Sequence, residues 1–238
     1  MHQRAFLEQG FTIIPGVVSE GECGDLPLHV HQEGEAGSRR LLDEAWCMAL
    51  AMRLRAHPQL APLIPDHHVV VQCMAFEKSV ETNWLVPVHQ DLSIPVHARV
   101  DHPDLSGWSE KEGVWYVQPP VELLQQLVAV RLHLDDCGED DGPLRVVPGS
   151  HLLGRIDAEE ARSVKARCGE ASCPAPRGAA MVMRPLLLHA SSKARGTSRR
   201  RVLHFLFGPR QLPHGLRWQA GGGLIAPRSE AHGQRGSA

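Results

Sequence analysis

Asn83-Trp84-Leu85-Val86-Pro87-Val88-His89-Gln90-Asp91 is the stretch around which the chain is organised. An apolar run delivers an imidazole and a carboxylate two residues apart, so in a strand both side chains leave the same face. Far downstream, Leu186-Leu187-Leu188-His189 ends a second apolar run on another imidazole. Two imidazoles and one carboxylate on a rigid β scaffold are the donor set of a non-haem Fe(II) centre that keeps coordination positions open. His89, Asp91 and His189 are therefore the candidate metal ligands and catalytic centre. A lone histidine in such a run is usually a satisfied core residue. The set carries weight because spacing, apolar flanks and downstream partner agree.

Other histidines compete for the third ligand position. His151 sits on a Pro-Gly turn, where the backbone is poorly placed to aim into a barrel, and His97 and His102 fall in a loop. His133 is the real competitor, because its strand face is polar and directed inward. His189 is preferred because Ser191 follows on the same face and the basic run Arg199-Arg200-Arg201 comes soon after. That run matters chemically. An Fe(II) centre using 2-oxoglutarate needs a buried cation for the remote carboxylate, best supplied by the bidentate fork of an arginine. Alternation alone does not choose among the three arginines, and a solvated strand end would read the same.

Working outward, residues 4–9 read as a short helix and Gly10–Gly16 as a strand closed by Pro15-Gly16. A polar, glycine-rich loop is expected from Ser19 to Ser38. Residues 39–57 follow helical periodicity and end at His57-Pro58, with a further helical turn at Gln59–Leu63. Val69–Lys78 alternates, placing Gln72, Met74 and Phe76 on one face and Val71, Cys73 and Ala75 on the other. Lys78, at the end of this strand, reads as a surface residue. Residues 97–120 read as a long loop with Trp108, Trp115 and Tyr116, the kind of segment that serves as a lid over substrate. Leu123–Asp135, Leu144–Val147, Ala179–His189 and Arg200–Phe207 read as strands, and Asp157–Ala166 as a weak helix.

The expected fold is mainly β with flanking helices, a double-stranded β-helix (jelly-roll, cupin-like) core. A single domain over residues 1–238 is expected, with helical support at about 39–63, the jelly-roll core at about 69–207 and a mobile tail from about 221.

Composition narrows the function. Hydrophobic residues are 42% and charged residues 22%, with a formal net charge of −2, which offers no electrostatic case for nucleic acid or anionic membrane. No apolar run approaches the roughly 20 residues that span a bilayer. The six cysteines lack zinc spacing and Met1-His2-Gln3-Arg4 opens no secretory signal, so reduced thiols in the cytoplasm are expected. Oligomeric state is not legible.

The chain resembles the phytanoyl-CoA dioxygenase-like family of Fe(II)/2-oxoglutarate oxygenases. The resemblance runs from the Gly10–Gly16 opening through His89-Gln90-Asp91 and Gly142-Pro143-Leu144-Arg145-Val146-Val147-Pro148-Gly149-Ser150-His151. It ends with His189-Ala190-Ser191 and Arg200, and is weakest in 19–65 and 95–120. It implies His89, Asp91 and His189 as iron ligands, Arg200 holding the 5-carboxylate of 2-oxoglutarate, and Ser191 assisting. It also implies Met74 and Gln90 in the co-substrate pocket and Gln72 facing substrate or co-substrate. The chain departs from relatives at Arg131, where a tryptophan is frequent. Arg131 is then either a second buried cation for a carboxylate or phosphate, on co-substrate or substrate, or a structural partner of Asp135, Asp136 or a glutamate. His133 and Trp108 complete the candidate substrate contacts, and Arg39 in the helical layer is a remoter one.

The expected reaction is oxidative decarboxylation of 2-oxoglutarate to succinate and carbon dioxide. It is coupled to hydroxylation by O2 of an unactivated C–H bond in a small, carboxylate-bearing molecule, with ascorbate as a candidate reductant. Asp91 speaks against a halogenase, which gives up this carboxylate to make room for chloride. The competing readings are a cupin-like metalloenzyme that does not use 2-oxoglutarate and a non-catalytic metal- or ligand-binding protein.

Overall fold

A computed structural model of the chain describes residues 1–26, 41–80, 83–196 and 199–219. In chain order its elements are α1 (His2–Gln9), β1 (Phe11–Ile14), α2 (Glu20–Asp25), α3 (Ala45–Ala56), β2 (His68–Lys78) and β3 (Val86–His89). There follow β4 (Ile94–Val96), β5 (Ser106–Lys111), β6 (Val114–Gln118), α4 (Val121–Leu124), β7 (Val128–His133) and β8 (Leu144–Val146). The last are α5 (Ala158–Cys168), β9 (Ala171–Cys173), β10 (Ala180–Met183), β11 (His189–Ser191) and β12 (Arg200–Pro209).

Two antiparallel sheets build the core, one ordered β1-β10-β7-β12-β2 and the other β3-β11-β8-β9. Alternation assigns their faces. Val128, Val130 and Leu132 of β7 and Leu203, Phe205 and Phe207 of β12 pack with Leu50 and Leu54 of α3 in one buried cluster. The opposite face of the larger sheet supplies Ala129, Met181, Met183 and Leu206, which meet Leu144 and Val146 of the smaller sheet in a second cluster. Helices thus cover one side of the larger sheet and the second sheet covers the other, a jelly roll. On the far side of the smaller sheet, Ala161 and Val164 of α5 pack with Val147 and Leu188. Pro87 lies in β3, an edge strand, where its missing N–H interrupts no ladder.

One irregularity fixes which side chains of β2 look inward. Leu206 pairs with Gln72 but Phe207 pairs with Val70, leaving Val71 as the extra residue of a β-bulge. Val71 accordingly joins the inter-sheet cluster, whereas Cys73 and Ala75 face the helices. The simple alternation expected from sequence misplaces Val71 for this reason.

Several sequence expectations need correction. The loop expected from Ser19 begins with α2, capped by the Ser19 hydroxyl, which accepts a 3.3 Å bond from Glu22 N–H; residues 27–38, Arg39 and the tail from 221 lie outside the described residues. Leu123–Asp135 is not one strand, because Pro120 starts α4 and the strand begins at Val128. Ala179–His189 is likewise two strands, split at Pro185 by a turn in which Leu187 N–H reaches Arg184 O at 3.0 Å. The expected lid loop 97–120 contains a β-hairpin: β5 and β6 lie within it and, with β4 just before it, form a third, three-stranded sheet. Its hairpin turns at Glu112 and Gly113, both with positive φ, 52° and 71°. That pair of angles is the tight turn that matches strand twist.

Candidate metal centre

β3 and β11 are neighbours, and their register sets His89 directly opposite His189. The two ring centroids lie 4.2 Å apart. β3 ends at His89, so Asp91 is not held by the strand as the sequence suggested. Its backbone N–H instead bonds to Pro185 O at 2.9 Å, in the turn that splits β10 from β11. The carboxylate comes to rest between the rings, with Oδ1 3.6 Å from His89 Nε2 and Oδ2 3.7 Å from His189 Nε2.

Each ring is oriented from behind in the same way. His89 Nδ1 lies 2.9 Å from Pro87 O and His189 Nδ1 lies 2.8 Å from Leu187 O. A carbonyl accepts only from N–H, which puts the proton on Nδ1 and leaves the Nε2 lone pair facing Asp91. Burial drives the His189 ring down to about 4 despite the pull of Asp91, so it is neutral. Burial also opposes charge on His89 and on Asp91. For His89 the negative Asp91 carboxylate, as acceptor and as charge, and the Pro87 carbonyl together outweigh it, raising that ring. His189 and His89 outweigh it for Asp91, holding the carboxyl well below its usual range. A neutral imidazole, a second imidazole and an ionised carboxylate converging on one point are a set that fits a divalent cation.

Behind this set is a cavity of about 120 Å³ lined by Met74, Phe76, Lys78, Trp84, Arg131, Ser191, Arg200 and His204 as well as the three convergent residues. Three of its lining residues are cations and almost sealed from solvent: Lys78 is 1%, Arg200 4% and Arg131 8% exposed. The basic run resolves itself by alternation. Arg199 pairs with Glu77 at 2.7 Å and Arg201 with Asp135 at 2.7 Å on the other face, which sends Arg200 inward. Arg200 Nη1 donates to Gly142 O at 2.5 Å, and its Nε has no hydrogen-bond partner among the described residues. Lys78 lies opposite Arg200 in the β2–β12 register and donates to Ser191 Oγ at 3.0 Å and Ser192 O at 2.5 Å. Burial and then Arg200 press Lys78 down to about 8. Lys78 is thus not the surface residue that its strand-end position suggested.

Arg131 does not take the acidic partners considered from sequence, since Asp135 binds Arg201 and Asp136 accepts from Arg177 N–H. It lies 3.0 Å from His204 Nδ1 and 5.5 Å above the Phe76 ring, and its Nε has no partner among the described residues. An arginine can only donate, so His204 accepts. Burial and Arg131 push His204 down to about 3, which keeps it neutral. Sequence reading missed His204, although it shares the alternating face of β12 with Arg200 and Val202.

A second, outer cavity of about 320 Å³ adjoins the first, sharing Met74, Phe76, Asp91 and His204 and adding Gln72, Gln90, Lys111 and Tyr116. Gln72 Nε2 donates to Tyr116 Oη at 2.8 Å. Gln90 also lines it, but its amide is committed to backbone: it donates to Gly154 O and Leu186 O at 2.7 Å and accepts from Ile156 N–H at 2.8 Å. Two expected contacts line neither cavity. His133 is buried one inward position along β7, bonded through its backbone to Ala179. Trp108 packs edge-on against Trp115 at 6.3 Å within the third sheet. His151 reaches Leu7 O at 3.2 Å, away from the site, and Ser150 Oγ of the same turn accepts from Leu188 N–H, next to His189.

A model of the family described as phytanoyl-CoA dioxygenase (PhyH) matches residues 6–202. The chain belongs to the phytanoyl-CoA dioxygenase family. This membership places it among the iron- and 2-oxoglutarate-dependent enzymes. No curated protein matches the chain. Solved structures share the fold of this phytanoyl-CoA dioxygenase relative at low identity. EctD from S. alaskensis, in its apo form, is 14% identical with a TM-score of 0.64, over 90% of this chain and 80% of its own. The α-ketoglutarate-dependent epimerase SnoN of nogalamycin biosynthesis is 14% identical with a TM-score of 0.63, over 97% and 90%. HygX from Streptomyces hygroscopicus, with nickel, 2-oxoglutarate and hygromycin B bound, is 20% identical with a TM-score of 0.58, over 87% and 86%. Among the described residues no helix is long and apolar enough to cross a membrane.

Proposed function

We propose that the chain is an Fe(II)- and 2-oxoglutarate-dependent dioxygenase that hydroxylates an unactivated C–H bond of a small, carboxylate-bearing molecule. In balance, substrate, O2 and 2-oxoglutarate give alcohol, succinate and carbon dioxide. The observation that carries this reading is the surplus of buried cations, Lys78, Arg131 and Arg200, directly behind the His89–Asp91–His189 set. Against one carboxylate, three desolvated cations are unfavourable without anions to neutralise them. A dicarboxylate co-substrate answers two of those charges. The same surplus disfavours a metalloenzyme without 2-oxoglutarate and a site that merely stores metal.

His89, Asp91 and His189 would hold the iron, presenting Nε2, carboxylate oxygen and Nε2. Iron, when bound, supplies the activation of O2 that couples decarboxylation of the co-substrate to substrate oxidation. Arg200 and Lys78 would take the distal carboxylate, with Ser191 fixing the lysine by its 3.0 Å bond. Arg131, held by His204, would face an acidic group of co-substrate or substrate. Met74 and Phe76 provide apolar walls that exclude water. The outer cavity, with Gln72, Tyr116 and Lys111, would admit the substrate; Lys111 suits an anionic one.

The test is succinate release from labelled 2-oxoglutarate with Fe(II), O2 and ascorbate, screened over amino acids and other small acids. Release stimulated by one of these acids, and abolished by Asp91→Ala, is the expected result. Wild-type turnover by Asp91→Ala would remove the carboxylate from the centre. Stimulation only by uncharged compounds would overturn the substrate class.

A further inference from the structure

Away from the cavity, His102, Asp104 and His214 form a second convergence that the proposed reaction does not use. His102 and Asp104 lie between β4 and β5, and His214 lies on the turn after β12. Asp104 Oδ2 is 3.7 Å from His102 Nδ1 and 3.8 Å from His214 Nε2. The two imidazoles stack with centroids 3.8 Å apart and planes 33° from parallel. We infer that these three side chains form a separate site for a divalent transition metal of the zinc type, stapling the turn after β12 to the β4–β5 loop.

Geometry is the first argument. Zinc binds imidazole nitrogen and carboxylate oxygen at about 2.0–2.2 Å, so ligand atoms at a tetrahedral centre stand roughly 3.4 Å apart. The observed 3.7 and 3.8 Å need only a few tenths of an ångström of contraction. Protonation is the second. Asp104 N–H donates to His102 Nδ1 at 3.2 Å, so this nitrogen carries a lone pair and not a proton. A metal would take over that lone pair. Backbone conformation is the third. His214 has φ of 57°, and only it and Glu112 depart to positive φ among the described non-glycine residues. The unfavourable angle, set between Pro213 and Gly215, aims a ring at a carboxylate that a water-exposed imidazole does not need.

The site is partly open, with side-chain exposures of 32% for His102, 59% for Asp104 and 23% for His214. An ion can therefore enter from solvent and retain water in its remaining position. The two segments already meet through His97 N–H on Arg217 O at 2.9 Å and a bridge between Val96 and Trp218. A metal here would tighten the third sheet, whose Tyr116 and Lys111 line the outer cavity.

Zn2+ alone, without 2-oxoglutarate, is the probe, titrated into the chelator-stripped full chain by calorimetry. A protein carrying Asp91→Ala and His189→Ala isolates the surface site. It is expected to bind one equivalent and to melt higher with Zn2+ than without. Adding His214→Gly, which keeps the backbone angle, should weaken that binding by more than the roughly 10–100-fold typical of losing an outer-shell partner. His102→Asn provides an independent ligand loss, and far-ultraviolet spectra of the metal-free variants report that each folds. Absence of zinc binding in the Asp91→Ala/His189→Ala protein would overturn the proposal. So would binding that survives both His214→Gly and His102→Asn.

Discussion

Lys78 and Arg200 face each other across two paired strands, and their closeness makes each a test of the other. A charged hydrogen bond contributes about 1.5–3 kcal/mol, and 1.4 kcal/mol is a factor of ten. Arg200→Ala should therefore raise KM for 2-oxoglutarate by about 10–100-fold, read from succinate kinetics, with Arg200→Lys recovering part of the loss. Lys78 adds a pH dependence. Its ammonium is held down to about 8 by burial and Arg200, so the free enzyme loses that charge as pH rises through this value. KM for 2-oxoglutarate should climb above pH about 8 in the wild type, and this rise should vanish in Lys78→Met. A profile unchanged by Lys78→Met would mean that the amine does not meet the co-substrate.

At the scale of elements, the glycine-containing turn before β8 shapes the cation cradle. Gly142 has φ of 63°, offers its carbonyl to Arg200, and would place a Cβ 2.5 Å from Ser192 O. Gly142→Ala should cost about 1–3 kcal/mol, seen as a Tm several degrees lower, and should also raise KM for 2-oxoglutarate because Arg200 loses its seat. The convergence of His89, Asp91 and His189 was legible in the sequence because both imidazoles end apolar runs, and Arg200 was singled out because the family resemblance marks it. Lys78 and His204 were not legible. Each lies on a face that alternation marks, Lys78 with Gln72, Met74 and Phe76, and His204 with Arg200, but only the strand pairing shows that the two faces meet around one cavity. Gln90 was legible as important but not for its reason, since three backbone bonds through one amide appear only once Gly154, Ile156 and Leu186 are brought together. The 97–120 segment misled because its turn is Glu-Gly, a weaker hairpin signal than Asn-Gly or Asp-Gly.

For the whole molecule, the site joins strands of two sheets: β3 and β11 of one, β2, β7 and β12 of the other. Filling it should therefore stabilise the entire fold. Ligands at about 100 times their dissociation constant add about 2.7 kcal/mol, or about 2–4 °C per kcal/mol for a chain of this size. Fe(II) or an inert divalent substitute together with 2-oxoglutarate should raise Tm by at least this amount, reversibly with chelator; no shift would mean that the centre does not load. The skipped residue at Val71 reaches further than its own strand. Were β2 paired without interruption from its start, the odd-numbered positions would look inward to its end, and Glu77 rather than Lys78 would line the cavity behind His89, Asp91 and His189. One skipped valine thus decides the sign of the charge that this end of the strand turns into the chamber.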